Sequence, residues 1–399
     1  MTPGARVSAA IECLDQIFAG EAAEKVLTRW ARRSRFAGSK DRAAVRDHVF
    51  DALRNRDGCA DLGGALTGRA VMIGLCKLQG LDASELFSGV GHAPAPLEGS
   101  ETGLLMDAEE QHAPIEGGET SRQNWNLQAW CVDLLQASHP KNAAEIAQLL
   151  SKRAPVDLRA NVLKSTIVES TKLLETDDID VERLQISETA LRVKSNPRKV
   201  KTSKAYLNGA VELQDAGSQA LIDALPIDDC STILDYCAGG GGKSLAMAAR
   251  SQARIFAHDI NPKRMQDIPM RAARADVDIK CIDQAAIIKQ APFDLVLCDA
   301  PCSGSGSWRR SPDAKWKTTK SDFQDLITLQ AQILNDASVY VGAGGYFCYA
   351  TCSLFAQENE EQVNAFLKRT DKFTLLSQKC WTPLDGCDGF YVAVMQAKV

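Results

Sequence analysis

Two cysteines carry most of the chemical potential of this chain. Cys302, in DAPCSG, and Cys352, in YATCSL, lie fifty residues apart, each just after an apolar run that predicts a buried strand. Asp299 stands three residues before the first. The loop that follows, SGSGSWRRSPDAKW, combines glycines with Arg309, Arg310, Lys315 and two tryptophans. At the carboxyl edge of a parallel sheet, where ligands bind, a thiol, a carboxylate and a flexible basic loop suit chemistry on an anionic, planar substrate. A free cysteine, with a pKa near ~8.5, is only a few per cent thiolate at neutral pH, so a nucleophilic role requires local activation. Two other readings stay open. Buried cysteines serve as small hydrophobes, and Cys298, Cys302, Cys348 and Cys352 could be drawn into a four-thiolate zinc site. The C-x3-C spacing is not the usual one, and Cys298 and Cys348 fall inside apolar strands, so no metal is expected.

A second constellation precedes the cysteines. Leu234–Ser244, LDYCAGGGGKS, reads as a strand ending in a carboxylate, a turn of four glycines, and a helix start. Such glycines let backbone approach a ligand closely and leave helix N–H groups free. A P-loop ending at Ser244 would need glycine at 237, where Cys237 stands. Asp259, twenty-four residues beyond Asp235, ends the next predicted strand, where a carboxylate can accept both hydroxyls of a ribose; Asp283 ends the third. A nucleoside-containing cofactor follows. A nucleotide-dependent dehydrogenase fits this turn loosely but leaves the paired cysteines unexplained.

Alternating elements must position these residues. Thr232–Tyr236, Arg254–His258, Asp278–Cys281, Asp294–Cys298, Gly345–Ala350 and Phe390–Met395 predict strands. Lys243–Arg250, Pro262–Ala275, Asp322–Val341 and Glu358–Lys368 predict helices, the pattern of a doubly wound α/β domain over residues 206–399. Before it, residues 123–205 predict a small α+β unit. A helical pattern over Trp125–Leu150 leads to a strand (Asp157–Val162), a helix (Thr166–Leu174), a strand (Ala190–Val193) and the basic SNPRKVKTSK. Residues 91–122 predict a flexible acidic linker, with no Lys or Arg between Gly89 and Thr120. Residues 1–90 predict an all-α domain from apolar residues at helical spacing (Ile11, Leu14, Ile17, Phe18; Val45, Val49, Leu53). Its run WARRSRFAGSKDR gives residues 1–56 eleven Lys/Arg against seven Asp/Glu, either a solvated helix face or a phosphate contact.

Composition sets the bounds. With 45% hydrophobic and 24% charged residues over 399, the chain reads as soluble and globular with two or three domains. Glu12 and Asp15 interrupt its only N-terminal apolar stretch, so neither a signal peptide nor a membrane partner is expected. Thirteen scattered cysteines suit a reducing cytoplasm with free thiols. The net charge of −5 excludes a chain that is basic throughout and leaves nucleic-acid contact to local patches.

LDYCAGGGGKS, DAPCSGSGSWRRSPDAKW, YATCSLFAQENEEQV and the terminal DGCDGFYVA resemble, in order and spacing, the RNA 5-methylcytosine methyltransferases of the NOL1/NOP2/Sun family, above all the bacterial 16S rRNA enzymes of the RsmB/Sun type. DLRANVLKS (Asp157–Ser165) and ELQDAGSQ (Glu212–Gln219) agree, and the helical N-terminus looks like the NusB-type RNA-binding domain of that group. The resemblance implies a Rossmann-like class I methyltransferase domain behind a small α+β RNA-binding unit, acting on RNA as a cytoplasmic monomer. It implies S-adenosylmethionine as cofactor, its methionine end wrapped by Cys237, Ala238, Gly239, Gly240, Gly241, Gly242 and Lys243, its ribose on Asp259 and its adenine beside Asp283. Asp299 would lie between cofactor and base. By the same resemblance Cys352 is the nucleophile and Cys302 serves product release, with Lys243 and Asp299 completing the catalytic set. Arg309, Arg310 and Lys315 follow the catalytic loop and are expected on RNA phosphates. The family's usual proline is replaced by Gly240 and its threonine by Ser244, which predicts a looser cofactor turn. Alternatives are a non-catalytic ribosome-assembly factor with the same fold, and tRNA as the substrate.

Overall fold

Thr2 starts the first helix, Pro3–Phe18: its Oγ1 accepts from Ala5 N at 3.2 Å, and Pro3 pre-sets the helical φ of the first turn. The computed structural model describes residues 1–107 and 125–399 and divides into two units. The first is Met1–Arg153 with Trp308–Thr319; the second is Ala154–Ser307 with Lys320–Val399.

The first unit is helical. Ala23–Arg33, Ser39–Arg54, Arg56–Gly63 and Gly68–Leu78 follow the first helix, and Leu14, Val45, Val49, Leu53, Val71 and Ile73 meet in one core. Gly74 is required there, because a Cβ would stand 2.0 Å from Cys59 O. In the basic run Arg32, Arg33, Arg35 and Lys40 stay exposed, and Phe36 is 77% exposed. The linker expected over 91–122 lies outside the described residues from 108 to 122. Its first part is structured instead: Gly99–Asp107 is a helix, and Glu101 pairs with Arg69 at 2.7 Å. Ala129–Ser138 and Ala143–Leu150 are two further helices of this unit.

Trp308–Thr319 enters the helical unit through its own hydrogen bonds. Arg54 Nε donates to Arg309 O at 2.8 Å, Trp316 Nε1 to Leu53 O at 2.7 Å, and Gln128 Nε2 to Lys315 O and Thr318 O. The Arg56 guanidinium lies 3.5 Å from the Trp316 ring centre. Lys315 is buried, its Nζ donating to Arg54 O at 2.8 Å.

The second unit holds two sheets. The smaller has strands β1 (Asp157–Ala160), β2 (Val181–Arg183), β3 (Ala190–Val193) and β4 (Val211–Leu213) in the order β2-β3-β1-β4, all antiparallel. β4 pairs with β1 at the edge of this sheet. The larger has β5 (Thr232–Asp235), β6 (Arg254–Ala257), β7 (Ile279–Cys281), β8 (Phe293–Asp299), β9 (Val341–Thr351), β10 (Phe373–Trp381) and β11 (Phe390–Ala397). Its order is β10-β11-β9-β8-β5-β6-β7, parallel from β9 to β7 and antiparallel at β11 and β10. The central strands are buried on both faces. Ile233, Leu295, Leu297 and Cys348 enter one core, while Leu234, Val296, Cys298 and Phe347 enter the other. Every strand expected here exists. β2, β4 and β10 were not expected, being short or having exposed residues at most positions. The helix expected over Pro262–Ala275 is a 3-10 turn (Pro262–Met265) and a helix (Ile268–Ala275), and Gln284–Gln290 adds a helix that was not expected.

The buried lysine gives this architecture a test. Burial pulls the Lys315 ammonium down to about 7, with Asp57 opposing and Arg56 and Arg54 reinforcing the shift. The folded value lies below the unfolded one, so the folded protein binds fewer protons between them, and this site contributes stability that rises from about pH 7 to about pH 10. Thermal unfolding at about pH 6 and pH 9 should find in the wild type a rise that Lys315→Met lacks; equal pH slopes would refute the assignment.

Candidate active site

The larger sheet reverses its order at β5. From there the chain runs outward through β6 and β7 on one side, and β8 and β9 lie on the other. Such a switch point opens a crevice at the carboxyl ends of the strands. Asp235 ends β5, Asp259 follows β6, Asp299 ends β8 and Cys352 follows β9, so four predicted chemical groups meet that edge.

The thiols are adjacent. Cys302 Sγ and Cys352 Sγ are 3.5 Å apart, both half-buried. Lys243 Nζ donates to Asp299 Oδ2 at 2.6 Å. Burial pulls the Lys243 ammonium down, but the charge and hydrogen bond of Asp299 outweigh it and raise the ammonium above its ordinary value. The cysteines are driven apart. Cys352 is lowered, first by the hydrogen bond from Cys302 and further by the Lys243 charge, against burial and Asp299. Cys302 is raised by the same hydrogen bond, by burial and by the charges of Cys352 and Glu358. Lys243 acts on the first thiol and Glu358 on the second, so the two sulfurs sit in opposite electrostatic surroundings.

Backbone and side chains lock the two loops together. Gly306 N donates to Cys352 O at 3.0 Å and Gly389 N to Gly306 O at 2.9 Å. A Cβ on Gly306 would stand 2.3 Å from Gly389 O, so the glycines of SGSG and CDGF permit this approach. Leu354 N donates to Ser305 Oγ at 2.8 Å. Behind them Glu358, fully buried, accepts from Ser303 N (2.7 Å), Ser303 Oγ (2.5 Å), Gln330 Nε2 (3.0 Å) and Ser353 Oγ. Gln330 Nε2 also donates to Pro301 O at 2.9 Å. The sequence reading missed Ser303, Ser353, Glu358 and Gln330. A polar residue beside each cysteine was the available signal.

On the β5–β7 side lies a cavity of ≈ 1190 Å³, lined by Tyr236, His258, Asp259, Ile260, Asp283 and Tyr340 among others. A nucleoside is well within that volume. Ile260, 92% exposed at its edge, was also missed. Asp259 is buried and orders the turn: Oδ2 accepts from Gly239 N at 3.0 Å and pairs with Arg264 at 3.0 Å, and Oδ1 accepts from Asn261 N at 2.9 Å. Asp283 caps the next helix, accepting from Ala286 N at 2.8 Å. The turn Cys237–Gly242 links this cavity to Lys243. Ala238 N is fixed to His258 O at 2.8 Å, and Gly239 (φ +54°) and Gly241 (φ +78°) take left-handed conformations. Gly240 does not. A Cβ there meets only Arg271 Nη1, at 3.4 Å, so the turn is not built around glycine at the position where the sequence departs from the family pattern.

Under the turn lies an orphaned group. Asp235 is buried; its Oδ2 accepts from Ser244 Oγ at 2.6 Å, while its Oδ1 has no partner. Burial raises the carboxyl to about 7, with Ser244 opposing. An unpartnered carboxylate oxygen beside a glycine cradle fits a cationic amino-acid end of a nucleoside cofactor.

The expected phosphate contacts are only partly presented. Arg310 is exposed, whereas Arg309 and Lys315 are buried in the helical unit, which is a correction to their expected role. Among the described residues no group of three or more His, Cys, Asp or Glu side chains could hold a metal. All thirteen cysteines are free, and no single described helix is long and apolar enough to cross a membrane.

Comparison with known proteins places this geometry. Residues 222–395 match the family described as 16S rRNA methyltransferase RsmB/F, and residues 128–201 match its ferredoxin-like domain. Ribosomal RNA small subunit methyltransferase B of Shewanella oneidensis is 33% identical over 308 residues, 73% of this chain and 71% of the relative. The same enzyme of Serratia proteamaculans is 30% identical over 390 residues, 89% of this chain and 90% of the relative. Among solved structures, PH0851 superposes with a TM-score of 0.75 at 20% identity, covering 99% of both chains. NSun6 from Pyrococcus horikoshii with SFG does so with a TM-score of 0.56 at 17% identity, covering 66% of this chain and 97% of its own. The fold is therefore that of Rossmann-like methyltransferases, and the chain belongs to the RsmB/F family of 16S rRNA methyltransferases.

Proposed function

We propose that this protein methylates C5 of a cytosine in 16S rRNA through a covalent adduct on Cys352. The observation that carries the reading is the 3.5 Å approach of two thiols beside the Lys243–Asp299 pair. Cytosine C5 is too weak a nucleophile to take a methyl group unaided. Addition of the Cys352 thiolate to C6 moves the C5=C6 electron pair toward N3 and makes C5 an enamine carbon. The hydrogen bond from Cys302 and the Lys243 charge both lower the Cys352 pKa, which favours the thiolate, and Asp299, at the end of β8, would contact the base.

The cofactor of this family is S-adenosylmethionine, which when bound supplies an electrophilic methyl group. In this chain Asp235 and the Cys237–Gly242 turn would hold its amino-acid end, Asp259 its ribose, and Ile260 and Asp283 would flank its adenine. The complex of NSun6 with SFG supports a nucleoside-bearing ligand in this fold. Asp259 retains acceptor capacity for a hydroxyl, since its two oxygens offer about four lone-pair sites and three donors are engaged.

Release needs a base. Once Cys352 is bonded to C6 its charge is gone, and with it one cause of the raised Cys302 pKa. Cys302 then loses its proton to solvent and removes the C5 proton; the S–C6 bond breaks and C5=C6 re-forms. A base in this crevice must be unstacked, which single-stranded or flipped RNA provides. Arg310, and Arg32, Arg33, Arg35 and Lys40 flanking Phe36 in sequence, are exposed and suited to RNA phosphates, with Phe36 suited to a stacked base.

Two experiments test this reading. Cys302→Ala should methylate RNA and then stall with it attached through Cys352, giving a nuclease-sensitive larger band on a denaturing gel, whereas Cys352→Ala should be inactive without trapping. The reverse pattern would make Cys302 the nucleophile, and wild-type methylation in both would end the covalent mechanism. Asp259→Ala should weaken S-adenosylmethionine binding tenfold to a hundredfold, about 1.4–2.8 kcal/mol, in a calorimetric titration; unchanged affinity would remove the ribose assignment.

A further inference from the structure

The two-thiol reading leaves one buried charged group without a task. Glu358 is fully buried, and among the described residues it forms no ion pair. A carboxylate in such a place is expensive unless its oxygens are well hydrogen-bonded. Here they are: Oε1 accepts from Ser303 N and Gln330 Nε2, and Oε2 from Ser303 Oγ and Ser353 Oγ. Two of those donors, a backbone N–H and a side-chain amide, can only donate, so Oε1 must accept.

The donors have one feature in common. Ser303 directly follows Cys302, Ser353 directly follows Cys352, and Gln330 also holds the carbonyl of Pro301, the residue before Cys302. Glu358 therefore gathers the backbone on both sides of Cys302 and the residue after Cys352 onto one side chain. Its own main chain is fixed as well, Tyr349 OH donating to Glu358 O at 2.8 Å. Next along the chain, Asn359 accepts from Thr351 Oγ1 at 2.6 Å and donates through Nδ2 to Ser353 O at 3.0 Å, fixing the Cys352 loop from the other side. A neutral residue of the same size could supply some of this order. The Glu358 charge also acts in the direction of raising the Cys302 thiol, after the hydrogen bond from Cys352, burial and the charge of Cys352.

We propose that Glu358 is the positioning residue of the thiol pair: it holds the Cys302 and Cys352 loops in register, so that the 3.5 Å contact between the two sulfurs, and the proton shared across it, keep their geometry. The proposal rests on the assignment of Cys352 as nucleophile. The charged groups facing the pair are Lys243 and Asp299 on the Cys352 side and Glu358 on the Cys302 side, with the Ser307 hydroxyl also bonding Cys352.

The test is site-resolved alkylation of the intact, RNA-free protein by iodoacetamide across pH, with each cysteine quantified by peptide mass spectrometry. In the wild type Cys352 should react at a pH well below that of Cys302. In Glu358→Gln, which keeps the size and removes the charge, the two profiles should converge and kcat for methylation should fall at least tenfold, with cofactor affinity unchanged within twofold. Ser353→Ala, which removes one hydrogen bond and little volume, should shift the profiles in the same direction by less, and guards against misfolding of the first variant. Separate wild-type profiles with kcat within twofold in both variants would overturn the proposal. Failure of Cys302→Ala to trap RNA would instead overturn the two-thiol reading, and the alkylation profiles would then decide by themselves whether Glu358 governs the pair.

Discussion

The ion pair between Lys243 and Asp299 is the interaction on which the site depends. It spans the switch point of the sheet, joining the helix after β5 to the end of β8 at 2.6 Å. Burying two charges costs several kcal/mol per ion unless geometry and hydrogen bonding offset it. The short contact does so here, and the Lys243 ammonium, held in place by Asp299, also acts on Cys352. That cation and the hydrogen bond from Cys302 oppose burial and the Asp299 charge, both of which raise the thiol's pKa. One pair thus ties the helix after the glycine turn to the end of β8 and adds a positive charge beside Cys352.

A shared proton between two sulfurs demands loops that do not drift. Hydrogen bonding falls away steeply with distance and angle, and the thiols sit on segments that follow different strands. Close packing of backbone supplies the tolerance. Gly306 and Gly389 approach so nearly that a side chain on either would force three segments apart, since a Cβ on Gly389 would lie 2.7 Å from Gly306 Cα and 2.6 Å from Leu354. The serines that follow each cysteine turn inward, binding to each other and to a common carboxylate, which converts two turns into one body.

The chain leaves the second unit at Ser307 and returns at Lys320. Between those points its aromatic and basic residues are used for packing against helices. Trp316 stacks on Arg56, and Lys315 gives its ammonium to a helix-terminal carbonyl of the same unit, a group that needs a donor once its helix ends. A cluster of positive charge in a sequence therefore need not be a surface. In this stretch Arg310 and Lys317 are exposed, and Arg32, Arg33, Arg35 and Lys40 flank exposed Phe36 in sequence.

Much of this protein was legible in its residues because the signals are local. Strands buried on both faces read as continuous apolar runs, a glycine turn after a strand announces a ligand, and carboxylates at strand ends announce the edge where it binds; β5, β6, β8, β9 and β11 were found that way. What could not be read is whatever long-range contact decides. β2 and β4 are three residues long and become strands only by pairing with β3 and β1, and β10 is mostly exposed and is held by β11. The same limit applies to chemistry. Spacing could not rank Cys302 against Cys352, because a thiol's pKa depends on which charge stands beside it, and Lys243, Asp299 and Glu358 come from three separate stretches of chain. Nor could it separate the buried Lys315 from the exposed Arg310, five residues away. Residue type determined what the site could do; only tertiary packing, which sets distance and burial, decided which side chains are placed to do it.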